Sequence, residues 1–319
     1  MVHGLWTIDL LNVLKEKIKK LIVVVGPTAV GKTRTAIELA KHFKTEILSA
    51  DSRQFFKEIS IGTAKPEDAE LAEAKHHFIN SHSIFDEINA GRFEVEALAL
   101  LEQLFQKYDT LIMVGGSGLY INALCDGLDD LPKADESLRQ QIVERYENEG
   151  LSYLQQEVER LDPEYFKQVD VNNPQRLMRA LEVCLMTGEP FSTFRTKETK
   201  NRPFQIIKIG LNLPREELYQ RINHRVDLMV NAGLVEEVQS MEASKHIYAL
   251  QTVGYTELFD YFEGKHDLQK AIDLIKQNTR RFAKRQITWF NRDKGTHWFQ
   301  PEEVNAIIEL LQKEYGVKG

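Results

Sequence analysis

Leu21-Ile22-Val23-Val24-Val25 is an unbroken run of branched apolar residues. A run of that length without polar alternation predicts a strand buried on both faces of a parallel sheet. It passes directly into glycine and proline, and Thr35–Phe43 follows with the apolar spacing of a helix. Thr45–Ala50 and Thr110–Val114 repeat the strand signature, the first ending at Asp51 and the second at Gly115-Gly116. Strands alternating with helices predict an α/β fold with a parallel sheet, whose ligands bind beyond the carboxyl ends of the strands.

The pattern changes after about Gly127. Asp129–Glu164 holds 11 acidic and 4 basic residues and reads as helices broken at Pro132, Gly150 and Pro163. Pro174–Met186 carries a helical apolar stripe that stops at Thr187-Gly188-Glu189-Pro190, and Phe204–Leu213 returns to strand character. This predicts a core formed by 21–128 and 203–319, interrupted by a helical insertion domain at 129–202. Residues 1–20 form an N-terminal extension, with a short helix expected over 11–20. Further helices are expected over 215–232, 235–243, 253–263 and 267–292.

Composition narrows the class. The 319 residues are 42% hydrophobic, enough to bury a core. No apolar run approaches the roughly 18 residues of a membrane span, and the first twenty residues lack an export signal's apolar region. Cys125 and Cys184 are far apart in sequence, with no metal-binding spacing, and fit buried thiols in a reducing cytoplasm. A net charge of −7 by itself argues against nucleic acid as a partner. Its distribution does not: Lys276–Lys294 carries seven cations against Asp293 alone, with Trp289 and Phe290 among them. Arg281, Lys284, Arg285, Thr288 and Arg292 share one helical face, the footprint expected for a phosphate backbone.

The strongest chemical signal is Gly26-Pro27-Thr28-Ala29-Val30-Gly31-Lys32-Thr33, a G-x-x-x-x-G-K-[ST] loop between a strand and a helix. Backbone N–H groups of such a loop cradle a polyphosphate, Lys32 neutralises it and the Thr33 hydroxyl can ligate Mg²⁺. The fold class is thereby a P-loop NTPase-like sheet flanked by helices. Nucleotide-hydrolysing relatives of that class end a second strand in an Asp, but here Leu111–Val114 ends in Gly115-Gly116-Ser117-Gly118. Asp51-Ser52-Arg53-Gln54 is expected to face the loop across the ligand crevice, with Asp51 as a proton acceptor or a helix cap. His76-His77, read as lying on a helix, points to a structural role, since neighbouring helical side chains diverge.

Taken together these segments resemble the bacterial-type tRNA dimethylallyltransferases of the IPP transferase family. The resemblance runs through GPTAVGKT at 26–33, DSRQ at 51–54, IGTAKP at 61–66, HHFIN at 76–80 and NAGRF at 89–93. It continues through GGSGLY at 115–120, NPQRLMRALEV at 173–183, VGYTEL at 253–258 and TRRFAKRQITWF at 279–290. It implies transfer of a dimethylallyl group from dimethylallyl diphosphate to N6 of adenosine 37, in tRNAs that read U-initial codons. The diphosphate is then a leaving group held by the P-loop, Lys32 and Mg²⁺ through Thr33, and Asp51 is the general base. The resemblance further implies that Asp51, Ser52, Arg53, Gln54 and Ser117 hold the flipped base. Arg139, Gln175, Arg176, Leu177, Met178 and Arg179 are expected to contact the tRNA, and Gln251–Thr256 with Lys276–Lys294 to grip the anticodon stem. A cytoplasmic monomer without membrane association is expected. Ser117, Phe55-Phe56, Asn80 and Thr256 depart from the family's usual residues. Before the resemblance is invoked, a small-molecule kinase using Arg176 and Arg179 as lid arginines is the competing reading, and a non-catalytic RNA-binding module is the third.

Overall fold

The computed structural model describes residues 18–319 apart from 134 and 197. Six strands form one sheet: β1 (Lys20–Val25), β2 (Ile47–Ser49), β3 (His76–His77), β4 (Thr110–Gly115), β5 (Gln205–Leu211) and β6 (His297–Phe299). Their order is β3-β2-β4-β1-β5-β6, and every pairing is parallel. β1 sits between β4 and β5, with Val25 opposite Gly115 on one side and Gly210 on the other. Its residues Leu21–Val25 are at most 1% exposed. Leu21, Val23 and Val25 join the core on one face of the sheet, and Ile22 and Val24 the core on the other. That is why the run lacks polar alternation: both faces are covered.

Helix α1 (Lys32–Phe43) follows β1, and α2 (Asp68–Glu73), α3 (Ala90–Leu104) and α4 (Gly118–Asp126) come next. The first unit comprises residues up to Cys125 together with Arg202–Gly319, and the second is Asp126–Asn201. Within the second unit lie α5 (Glu136–Glu149), α6 (Leu151–Leu161), α7 (Pro163–Phe166) and α8 (Pro174–Thr187). Gly150 and Pro163 break these helices where their backbone chemistry requires, and Gly188 caps α8 in the left-handed conformation. The unit has its own core, including Ile142, Leu154, Val158, Leu177 and Leu181. After β5 the first unit resumes with α9 (Arg215–Asn231), α10 (Leu234–Ser240), α11 (Tyr255–Phe262), α12 (Leu268–Phe290) and α13 (Val304–Lys313).

Several expectations shift. The helix expected over 11–20 falls mostly outside the described residues, and its last residue, Lys20, already belongs to β1. β2 is shorter than Thr45–Ala50, because Thr45 closes the end of α1, its N–H donating to the Ala40 carbonyl. His76-His77 lies on an edge strand, not a helix. β6 and α13 are not among the expected elements, although α13 carries a helical apolar stripe with Ile307 and Leu311 buried. Both cysteines are free and buried. Among the described residues no helix is long and apolar enough to cross a membrane.

Candidate functional site

Strands β2, β4 and β1 lie side by side, so the loops leaving their carboxyl ends meet. The loop after β1 is Gly26–Thr33. Gly26 has φ +149°, and a Cβ there would stand 2.5 Å from the Leu211 carbonyl oxygen, so any side chain would push the loop off β5. Gly31, at φ +109°, turns the backbone into α1, while Val30 is fully buried beneath the loop. The first N–H groups of α1 therefore open onto a cavity, where the helix dipole favours an anion. Lys32 Nζ donates to the Pro27 carbonyl at 2.8 Å. Burial pulls its pKa down to about 8, the Asp51 carboxylate pulls it back up and the Arg225 guanidinium pushes it further down.

Asp51 follows β2. Its Oδ1 accepts the Arg53 N–H at 3.1 Å and its carbonyl accepts the Gln54 N–H, folding residues 51–54 into a tight turn. Ser117, after β4, clasps that turn: its Oγ accepts the Ser52 N–H at 2.9 Å and donates to Ser52 Oγ at 3.0 Å. Gln54 reaches the other way, its Nε2 donating to the carbonyls of Thr63 and Ala64. Arg53 Nη2 donates to the Gln251 carbonyl at 3.5 Å.

Two cavities share this wall. One, of about 380 Å³, is lined by the P-loop with Lys32, Thr33, Lys65, Arg221, His224 and Arg225. The other, of about 400 Å³, is lined by Ser52, Ser117, Tyr120, Val226, Met229, Leu234, Val253, Ile275 and Trp289. Thr28, Ala29, Asp51, Thr63, Ala64, Arg225, Phe282 and Gln286 line both. The first is cationic and the second largely apolar, with the Asp51 carboxylate at their junction. A group that must lose an anion on one side and a proton on the other is suited to that arrangement.

Two of these residues were not predicted. Arg225 stands on α9, its pKa lowered by burial and sustained by Asp51 and Glu70. Nothing in the sequence singles out Arg221, His224 or Arg225; in the structure Arg221 and Arg225 are partly buried against the cavity, and His224 is exposed at its edge. Gln286, 6% exposed, accepts the Thr28 N–H with Oε1 at 2.8 Å and donates from Nε2 to the Gly116 carbonyl at 2.9 Å. It therefore ties the P-loop to the turn after β4. The apolar side of α12 packs Ala283, Gln286 and Phe290 inward, while Arg281, Lys284 and Arg285 stay exposed.

Mg²⁺ was assigned to Thr33. The Thr33 hydroxyl makes no hydrogen bond among the described residues and lines the Lys32 cavity together with the Asp51 carboxylate. Two hard oxygen donors at the mouth of an anion site fit an ion that binds through few protein ligands and its own waters.

The insertion residues divide. Gln175 and Arg176 are exposed. Leu177 and Met178 are 0% and 5% exposed and belong to the insertion's own core, which corrects the expectation that their side chains touch RNA. Arg179 pairs with the buried Glu182 at 2.9 Å and donates to the Pro132 carbonyl, and Arg139 stands 3.6 Å from the same carboxylate. His77 Nε2 meets the Glu46 carboxylate at 2.5 Å and His76 Nδ1 meets the Ala74 carbonyl at 2.8 Å. Phe55 and Phe56 are core residues, 0% and 3% exposed. Asn80 Oδ1 accepts from Lys65 Nζ, and the Thr256 hydroxyl is held by the Thr252 carbonyl and Glu257.

Comparison with known proteins agrees with this geometry. Residues 54–293 match the family model described as IPP transferase. The tRNA dimethylallyltransferase of Christiangramia forsetii is 53% identical over 288 residues, 90% of this chain and 95% of that one. A tRNA dimethylallyltransferase of Bacteroides fragilis is 47% identical over 92% of this chain and 98% of its own. Among solved structures, the tRNA isopentenylpyrophosphate transferase of Bacillus halodurans superimposes with a TM-score of 0.69 at 33% identity, covering 93% of this chain and 97% of that one. With the fold, the loop motif and near full-length identity agreeing, the chain belongs to the IPP transferase family.

Proposed function

We infer that the protein transfers the dimethylallyl group of dimethylallyl diphosphate to N6 of adenosine 37 in tRNAs that read U-initial codons. The observation that carries this is the Asp51 carboxylate on the wall shared by a cationic and a largely apolar cavity. The diphosphate occupies the cationic side, against the P-loop N–H groups, Lys32 and Arg225. The adenine, flipped out of its stack, enters the apolar side beside Ser52 and Ser117. Its N6 attacks C1 of the allyl group as the C1–O bond to diphosphate breaks, and the developing positive charge spreads over the allyl system. Lys32, Arg225 and the loop N–H groups receive the charge on the departing diphosphate. Asp51 takes the N6 proton as the new C–N bond forms. Thr33 and Asp51 would hold Mg²⁺, which would supply further charge neutralisation on the diphosphate. A monomer suffices, since one chain supplies both cavities, and nothing in the reaction calls for a membrane or for a compartment other than the cytoplasm.

The kinase reading keeps only one of its two lid arginines: Arg176 is exposed, but Arg179 is occupied by Glu182 and the Pro132 carbonyl. Unmodified tRNA incubated with dimethylallyl diphosphate, Mg²⁺ and the protein is expected to yield N6-(dimethylallyl)adenosine, detected by nucleoside mass, in tRNAs that read U-initial codons. Absence of that nucleoside would overturn the assignment. Asp51→Asn is expected to slow single-turnover transfer by about 10²- to 10⁴-fold while tRNA affinity changes little. An unchanged transfer rate would remove Asp51 from the role of base.

A further inference from the structure

Tyr248 is 72% exposed, an unusually open position for a large aromatic ring. It stands at the start of a short 3-10 turn, Tyr248–Leu250, whose other two residues are buried at 3% and 0% exposure. The turn is thus anchored in the core and the ring is projected outward. The ring is also held: the Arg53 guanidinium carbon lies 5.1 Å from its centroid, and Arg53 donates to the Gln251 carbonyl three residues further on. Arg53 belongs to the Asp51 turn and lines the apolar cavity, as does Tyr120. Burial pushes the Tyr120 phenol up to about 12, and the nearby Arg53 guanidinium partly offsets that. Tyr120, Arg53 and Tyr248 therefore run in sequence from the cavity wall to the open surface.

From this continuity we propose that Tyr248, stacked on Arg53, is the platform for a nucleotide base next to the adenosine that enters the cavity. Flipping that adenosine breaks its stacking with both neighbours, and a neighbour left open needs a new surface. An exposed aromatic ring backed by a guanidinium supplies one that accepts any base, because every base has a π-face. Arg53 holds the ring before RNA arrives, which lowers the ordering cost of binding. The inference rests on the tRNA reading above and adds a specific contact to it.

The test uses anticodon stem–loop RNA with the intact protein. Tyr248→Ala is expected to raise the KM for the RNA by roughly 5- to 150-fold, the range of one base–aromatic stack. The KM for dimethylallyl diphosphate stays unchanged, and Tyr248→Trp keeps the affinity of the unaltered protein. Stem–loops carrying an abasic site on one or the other side of the target adenosine locate the contact. With one of the two, wild type and Tyr248→Ala become equal; with the other, the difference persists. If Tyr248→Ala binds the unaltered stem–loop as wild type does, or if neither abasic RNA abolishes the difference, the platform does not exist. If wild type itself neither binds nor prenylates the stem–loop, the tRNA reading fails first, and that outcome is separate from both.

Discussion

Lys32 illustrates how burial sets the behaviour of a single side chain. Its ammonium is deprived of water and lies near Arg225, and only Asp51 offsets the cost. A pKa of about 8 means the charge is largely present at neutral pH and is lost as pH rises through that value. An anion that needs the charge raises the pKa again, so binding above pH 8 takes up a proton. Inorganic pyrophosphate titrated calorimetrically at pH 8.5, in buffers of different ionisation enthalpy, is expected to show that uptake. Lys32→Arg keeps the charge at every accessible pH and is expected to take up fewer protons, by at most about three-quarters of one. Lys65, also lowered to about 8 by burial, and pyrophosphate contribute equally in both proteins and cancel in the comparison. Equal uptake in the two would show that Lys32 is not the group that meets the anion.

Elements matter here because loops lining the cavities are fixed by helices far along the chain. Residues 60–66, which line both cavities through Thr63 and Ala64, are pinned by Glu237 on α10. Its carboxylate accepts the N–H groups of Ser60, Ile61 and Gly62 at 2.9, 2.9 and 3.0 Å, and the Tyr255 hydroxyl at 2.5 Å. Glu237→Ala leaves these donors without an acceptor and is expected to cost about 2–3 kcal/mol by urea unfolding. Amide exchange in 60–65 is expected to quicken more than in β1; loss below 0.5 kcal/mol with unchanged exchange would show that the loop holds itself. Such long-range fixing also separates what was legible in the sequence from what was not. Gly26–Thr33 could be read because strand, turn and helix are adjacent in the chain and the glycines have a local reason. Gln286 and Arg225 could not, since their meaning arises only when α12 and α9 pack over the P-loop. β3 pairs only two residues, too few for a period of two to show. Leu177 and Met178 lay inside a motif read as one contact surface, whereas a helix turns alternate members of such a motif into its core.

For the whole molecule, the net charge of −7 conceals where RNA can be met. On α12 the cations divide by partner. Lys276 is paired with Asp227 at 2.6 Å, and Arg280 donates to Asn223. Arg281, Lys284 and Arg285, with Arg292 and Lys294 just beyond the helix end, are exposed, and none of them forms an ion pair among the described residues. Arg285 also lines the apolar cavity, so this patch begins where the target base is expected to enter. Each phosphate neutralised contributes about −0.7 to −0.9 to the slope of log affinity against log salt. Five cations therefore predict a slope of about −3.5 to −4.5 for tRNA binding. Lys284→Ala, which alters a residue outside both cavities, is expected to reduce it by about 1. A slope near zero would detach α12 from the RNA. One steeper than about −7 would require phosphate contacts well beyond this helix, and Gln175–Arg176 on the insertion's exposed face would be the next residues to replace.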